Sequence, residues 1–483
     1  MNTTFLKNKT MILTATLFML FSFVAIFTGF FISYFSTALP LIIMAVIVFS
    51  SFTILRKHLI LILLVWINIQ NSLIPYLYSH TDYKPIVWTI IITLPFIIPV
   101  LFTLFWVVKK IVSKDKVFPK WFVVGVIYSI FSTIFIFLHI SNGNLTGMLT
   151  YLRALFVPFV YVVVGFIYTN GSKEKLKTML RIMSIISILG AIFSVIDYYY
   201  ITPEFWASTV GLGKYWLDVK LLDSRYVLNG ELPLNFYTNS GDIYLRRAIS
   251  FYGDPLAAGY SIATGLIAWL MLRLGFTKKK KNRFITLTVL GILVVGISFT
   301  YTRAAYIIIF IALMYLLLFS KSFRKLFPKI GYVLIIGILF FFGGKYITDS
   351  LHGDNSSAVI HTQSVAVIPS LLAHPFGTGQ YLFAPEGTYQ SFLWTVGIIP
   401  TIAFIVWLLT LFPKQKDFTS EIGKGILLAL VVSGFISFQM MNTSCSFAWV
   451  IVGGVLSLSE IKKNKEQPEQ LKITDVTTPP LNI

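Results

Sequence analysis

Four arginines stand where this chain could do chemistry. Arg153 lies in MLTYLRALFVPF, Arg246 and Arg247 open RRAISFYGDPLAAGY, and Arg303 sits in TYTRAAYIIIFIALMY, between the apolar runs 284–302 and 304–320. Neither flank of Arg303 supplies a nearby acid. A guanidinium costs about 2.5–3.5 kcal/mol at the centre of a bilayer, and less at its polar rim. That cost calls for a role. Planar forks of N–H donors match phosphate oxygens better than a lysine ammonium does. Guanidinium groups gathered at a membrane surface, with few acids adjacent in sequence, therefore suit a polyanion such as a lipid-linked diphosphate. The competing reading is that these side chains snorkel to lipid headgroups, and it bears most on Arg246 and Arg247, at a span edge.

The elements that must position them are membrane helices. Hydrophobic residues make up 56% of the 483 and charged residues only 12%, against about 25% charged in an ordinary soluble domain. Runs long enough to cross a bilayer fall at about 11–34, 37–55, 59–78, 86–108, 121–141, 149–168, 176–200, 252–275, 284–302, 304–320, 330–347, 389–411, 425–441 and 446–459. The expected fold is an all-α polytopic bundle of about 14 spans, one membrane domain over residues 1–459, with both termini cytoplasmic. Residues 11–34 are expected to remain as an anchor, being too long for the apolar part of a signal peptide. A polar tail, residues 460–483, is expected to be disordered and cytoplasmic.

Net charge is +20, yet its distribution argues against a nucleic-acid partner. With alternating spans, the inner segments carry 30 of the 39 Lys and Arg residues, including the run Lys278–Lys281. The acids run the other way, with 8 of 19 inside. This is the positive-inside pattern of a multi-pass cell-membrane protein, reinforced by anionic headgroups. Two long outer loops follow from the same alternation, residues 201–248 and 348–388. Long loops between membrane helices more often carry function than decoration. The two are expected to roof one outward-facing site. Trp206 and Trp216, in the first loop, are read as headgroup anchors before sugar-stacking platforms.

Several chemistries have no signature here. Gly211-Leu212-Gly213-Lys214 lacks the spacing and the strand–helix context of a phosphate loop. No HExxH, CxxC or GxSxG occurs. His352, His361 and His374 are not spaced as metal ligands. Neither a metal nor a cofactor is expected. The lone cysteine, Cys445, reads as a small apolar residue.

With the arginines placed, a family resemblance emerges. RRAISFYGDPLAAGYSIATG resembles the stretch of the O-antigen ligase and polysaccharide polymerase superfamily in which Arg is followed after two or three residues by Gly/Ser-x-Phe-x-Asn/Asp-Pro. YTRAAYI is similar to its Ser/Thr-Arg-Ala/Gly element at the start of a span, IPSLLAHPFGTGQY to the Pro–Gly element of its large outer loop, and EGTYQSFLWTVGIIP to the span that follows. The likeness covers residues 149–411. It implies that a glycan moves from undecaprenyl diphosphate to an acceptor hydroxyl at the outer leaflet, with no metal or nucleotide. Arg303 and Arg247, or Arg246 in its place, would bind the diphosphate, with Arg153 joining the set. Glu386 stands where the ligase branch carries histidine, which points toward a repeat-unit polymerase, with Glu386 as the base that takes the acceptor proton and His361 as the alternative base. Asp254 reads first as the residue that starts a helix at Asp-Pro, then as a site residue. The implied partners are the undecaprenyl-diphosphate-linked oligosaccharide, membrane lipids and other polysaccharide export proteins. Rival readings are an O-antigen-type ligase, a polysaccharide flippase, and a non-catalytic partner in envelope assembly. Similar halves and midplane charges would mark a flippase, and neither is evident.

Overall fold

The computed structural model describes residues 59–80, 85–113, 118–139, 145–220, 227–228, 232–240, 243–276, 283–324, 373–379, 387–415, 417–435 and 437–474. The expected spans 11–34, 37–55 and 330–347 lie outside these residues, as do Glu386 and His361.

Where an apolar run falls on described residues, a helix forms. In chain order these are α1 (Leu59–Ser79), α2 (Pro85–Val112), α3 (Lys120–Leu138), α4 (Leu145–Thr169), α5 (Lys173–Tyr200), a short α6 (Leu212–Asp218), α7 (Pro255–Gly275), α8 (Arg283–Thr300) and α9 (Arg303–Phe319). After them come α10 (Lys321–Arg324), α11 (Thr388–Val396), α12 (Ile398–Thr410), α13 (Phe418–Ser433) and α14 (Ser446–Thr474). Six of the described helices are long and apolar enough to cross a membrane, and four shorter apolar helices accompany them. The protein is an all-α, membrane-embedded bundle. Its outward faces agree: Leu101, Leu104, Phe105 and Val108 on α2, and Ile127, Ile130 and Ile134 on α3, are exposed at helical spacing, which is the apolar stripe that lipid covers.

Packing uses small residues, as expected where lipid offers no hydrophobic drive between helices. On α14, a Cβ at Gly453 would lie 2.0 Å from the Val162 carbonyl oxygen of α4. Helix α7 sits at the centre, with 83% of its span buried. Gly265 lets α5 approach so closely that a Cβ there would lie 1.9 Å from Ser187 Oγ. The Ser187 hydroxyl donates across that contact to the Ser261 carbonyl at 2.9 Å.

Three expectations change. The run 389–411 is two helices, α11 and α12, broken at Gly397, which adopts φ +85° against the Pro375 carbonyl; only glycine takes that conformation freely. The run 425–441 becomes α13, shifted toward its N-terminus and capped by Asp417, with a 3-10 turn at Phe438–Met441. The tail does not begin as disordered chain: the helical backbone of α14 continues to Thr474. Lys, Glu and Gln are good helix formers, and the helix is already nucleated by the buried residues before them.

Within 201–248 the described residues carry regular structure. They include α6 and two antiparallel ladders, β1 (Val227–Leu228) with β2 (Leu232–Pro233) and β3 (Tyr237–Ser240) with β4 (Ile243–Arg246). Trp206, Leu212, Phe236 and Ile249 form a small core. Trp206 is 3% exposed, so it packs inside the protein and does not anchor to headgroups.

Candidate functional site

A cavity of about 630 Å³ opens where the C-terminal half of α1, the N-terminal ends of α2, α4 and α7, and α6 converge. Two of these helices carry basic residues at the opposite end: Lys109 and Lys110 close α2 and Arg273 closes α7. The same polarity extends to Lys120 at the start of α3 and Lys173 at the start of α5.

Arg153 projects into this cavity from α4. It lies eight residues inside the helix, roughly 12 Å along its axis. Among the described residues it makes no hydrogen bond and has no carboxylate partner, although it is mostly enclosed by protein. A half-buried cation that faces a cavity without a carboxylate partner among the described residues can receive an anion there.

Lys220 supplies a second cation in the same wall. It follows α6, which Gly211 starts at φ +74° hard against Ser79 of α1. Tyr78 Oη donates to Asp218 Oδ2 at 2.6 Å and ties α6 to α1. The Lys220 ammonium stands 6.0 Å from the ring centres of both Tyr215 and Trp216. It is accessible to solvent within the cavity yet surrounded by protein. That enclosure, helped by the charge of Arg153 and opposed by Asp254, lowers its pKa to about 8.

Asp254 lines the cavity from the start of α7. Its Oδ1 accepts from the Leu256 and Ala257 backbone N–H groups at 2.7 and 3.0 Å, with Pro255 in the first turn. It is an N-cap, and its charge is partly spent there.

The arginine pair divides. Arg246 forms an ion pair with Asp197, in the last turn of α5, and also donates to the Ile201 carbonyl. Arg247 turns the other way and is 8% exposed. Its Nε donates to the Thr300 carbonyl at 2.8 Å, one terminal nitrogen to the Asn235 carbonyl at 2.9 Å, and the other to Thr302 Oγ1 at 2.9 Å. Burial and the nearby Arg303 lower its pKa, Asp254 raises it, and the result is about 10. Arg247 thus bonds to Thr300 and Thr302, on either side of Tyr301 at φ +48°, in the corner between α8 and α9 that precedes Arg303. Asn235, which Arg247 grips, lines the cavity; Arg246, Arg247 and Arg303 themselves do not. The structure therefore joins Arg153 and Asp254 in one wall, sets Arg247 behind that wall, and commits Arg246 to Asp197.

Several residues of the site carry no local signal of chemistry. Lys220 stands out in YWLDVK only as a lysine after aromatic residues. Gln70 and Asn71, in the apolar helix α1, are marked only by being polar where lipid or protein surrounds them, which is itself a sign of function in membrane helices.

Chemically, the cavity offers two cations, a capped carboxylate, amides and aromatic faces. That set can hold an anion beside a neutral polar group. No family model, curated protein or solved structure matches this chain.

Proposed function

We propose that this protein is a membrane polysaccharide polymerase. It transfers a glycan from undecaprenyl diphosphate to a sugar hydroxyl of another lipid-linked repeat unit on the extracytoplasmic face. The observation that carries the reading is Arg153: a guanidinium enclosed in a membrane helix bundle, lacking a carboxylate partner among the described residues, beside Lys220 in a cavity large enough for more than one ligand group. The cavity lies at the helix ends opposite the basic ones, which supports an extracytoplasmic opening.

In the reaction, the acceptor hydroxyl oxygen attacks the anomeric carbon. The bond from that carbon to the diphosphate oxygen breaks, and undecaprenyl diphosphate leaves with the electron pair. A base takes the acceptor proton, a role proposed for Glu386, with His361 as the alternative. Negative charge grows on the leaving diphosphate in the transition state, and fixed cations stabilise it there more than in the ground state. Arg153 and Lys220 would supply that charge directly. Arg303 and Arg247 would act from the adjoining α8–α9 corner, Arg247 through the 3-10 turn at Asn235 that it holds.

The test is reconstitution of the purified protein with a lipid-linked repeat unit, with product length read on a gel. Wild-type protein yields a ladder, while Arg153→Lys and Arg303→Lys lose it at normal membrane levels. Unchanged ladders in both variants would remove diphosphate binding from these arginines. In cells, loss of the protein should leave single lipid-linked repeats outside; repeats trapped inside would favour a flippase.

A further inference from the structure

Gln70 is 3% exposed, lies in the wall of the cavity, and its Oε1 is buried without a hydrogen-bond partner. Among the described residues its carboxamide makes no hydrogen bond at all, whereas its neighbour Asn68 donates to the Leu64 carbonyl of its own helix. Leaving a buried carbonyl oxygen unpaired costs roughly 1–3 kcal/mol. A methionine would fill the same space without that penalty.

The fullest repayment comes from a group that both donates and accepts. A carboxamide turns about its last bond, so a diphosphate, which offers acceptor oxygens only, could take its N–H groups but would leave the oxygen unpaired. A sugar hydroxyl both donates and accepts, and so matches a carboxamide. The surroundings fit a polyhydroxylated ring. Asn71 adjoins Gln70 on α1, and Thr150 lies three residues from Arg153 on the same face of α4. Trp216 presents a half-buried ring in the same wall. The volume, about 630 Å³, falls in the range that encloses a drug-sized ligand, beyond what a diphosphate fills alone.

We infer that Gln70, with Asn71 beside it, forms a hydroxyl-reading subsite that seats a neutral sugar ring next to the anion held by Arg153 and Lys220. The inference rests on reading the cavity as a lipid-diphosphate site. It adds a division of labour: cations on α4 and after α6 bind the diphosphate, and amides on α1 select the glycan.

The experiment measures equilibrium binding of two probes to the purified full-length protein: undecaprenyl diphosphate, and undecaprenyl diphosphate carrying one hexose. In Gln70→Met the expected result is about a tenfold loss for the hexose-bearing lipid, with affinity for the bare lipid unchanged. The melting temperature should hold or rise, because an unpaired polar atom has been removed. An equal loss for both probes, or no loss for either, would overturn the subsite. If the bare lipid fails to bind while the hexose-bearing lipid binds and depends on Gln70, the diphosphate reading falls and the subsite stands. If neither probe binds the wild-type protein, both fall. Should Gln70→Met not fold, Asn71→Leu carries the same comparison with the same outcomes.

Discussion

The carboxylate of Asp197 and the guanidinium of Arg246, 49 positions apart, form a largely buried ion pair that pins strand β4 to the end of α5. Asp197 is fully buried. It also accepts from Trp206 Nε1 at 2.7 Å and from the backbone N–H groups of Ile249 and Ser250 at 2.5 and 2.9 Å. Four donors thus converge on one carboxylate. They fix the chain just before the turn that leads to Asp254, and with it the direction in which Arg247 leaves the backbone.

Removing one partner of a buried pair strands the other, at a cost of roughly 3–5 kcal/mol. Asp197→Ala should therefore destabilise the protein strongly, and the double variant with Arg246→Ala should lose much less than the sum of the two single losses. Thermal unfolding in detergent measures both. Additive losses would show that the pair does not act as a unit.

Arg153 should behave in the opposite way. No carboxylate offsets its burial among the described residues, so Arg153→Met should leave stability unchanged or raise it by about 1 kcal/mol. Affinity for undecaprenyl diphosphate should fall at least about tenfold, since a charge-assisted contact in an enclosed site is lost. Stability and binding measured on the same preparation separate the two effects. A destabilised variant with intact binding would make Arg153 a structural residue.

Gly253 and Gly291 form a matched pair of glycine tests. Gly253 lies in the cavity wall at φ +66°, and a Cβ there would sit 2.1 Å from the Asn71 carbonyl oxygen. Gly253→Ala should push α1 away from α7 and cost roughly 1–3 kcal/mol. Gly291, inside α8, has nothing within 4 Å, so Gly291→Ala should stabilise by about 0.4–1 kcal/mol through helix propensity and a less entropic unfolded chain. Melting temperatures of the two variants should move in opposite directions.

These residues also show what the sequence makes legible. Long apolar runs such as 59–78, 121–141 and 252–275 specify helices because a bilayer demands satisfied backbone over about 20 residues. Asp254-Pro255 is a local signal, and the helix starts there. Gly397 is not: a glycine within an apolar run reads as small, and its positive φ depends on the Pro375 carbonyl it meets. The fate of Arg246 could not be inferred from few acids nearby in sequence, because Asp197 reaches it from the end of another helix. Trp206 looked like an interfacial ring for the same reason, its partner again being Asp197. Lys220 and Gln70 acquire meaning only when α1, α4 and α6 close around one space.

Lys220 gives the cavity a pH dependence whose sign can be worked out. In the free protein its pKa is lowered to about 8. A bound diphosphate favours the charged ammonium and raises that value. Protonated Lys220 is therefore the binding form, nearly complete a unit below about pH 8, half present there and mostly lost a unit above it. Between roughly pH 7 and pH 9 affinity for undecaprenyl diphosphate should fall about tenfold, a range in which the terminal phosphate, with its second ionisation near about 6, keeps constant charge. Arg stays protonated throughout this range, so Lys220→Arg should flatten the profile while keeping binding at pH 7 within a few fold. Binding titrations across this range decide it. A wild-type profile as flat as that of Lys220→Arg would place the ammonium away from the diphosphate.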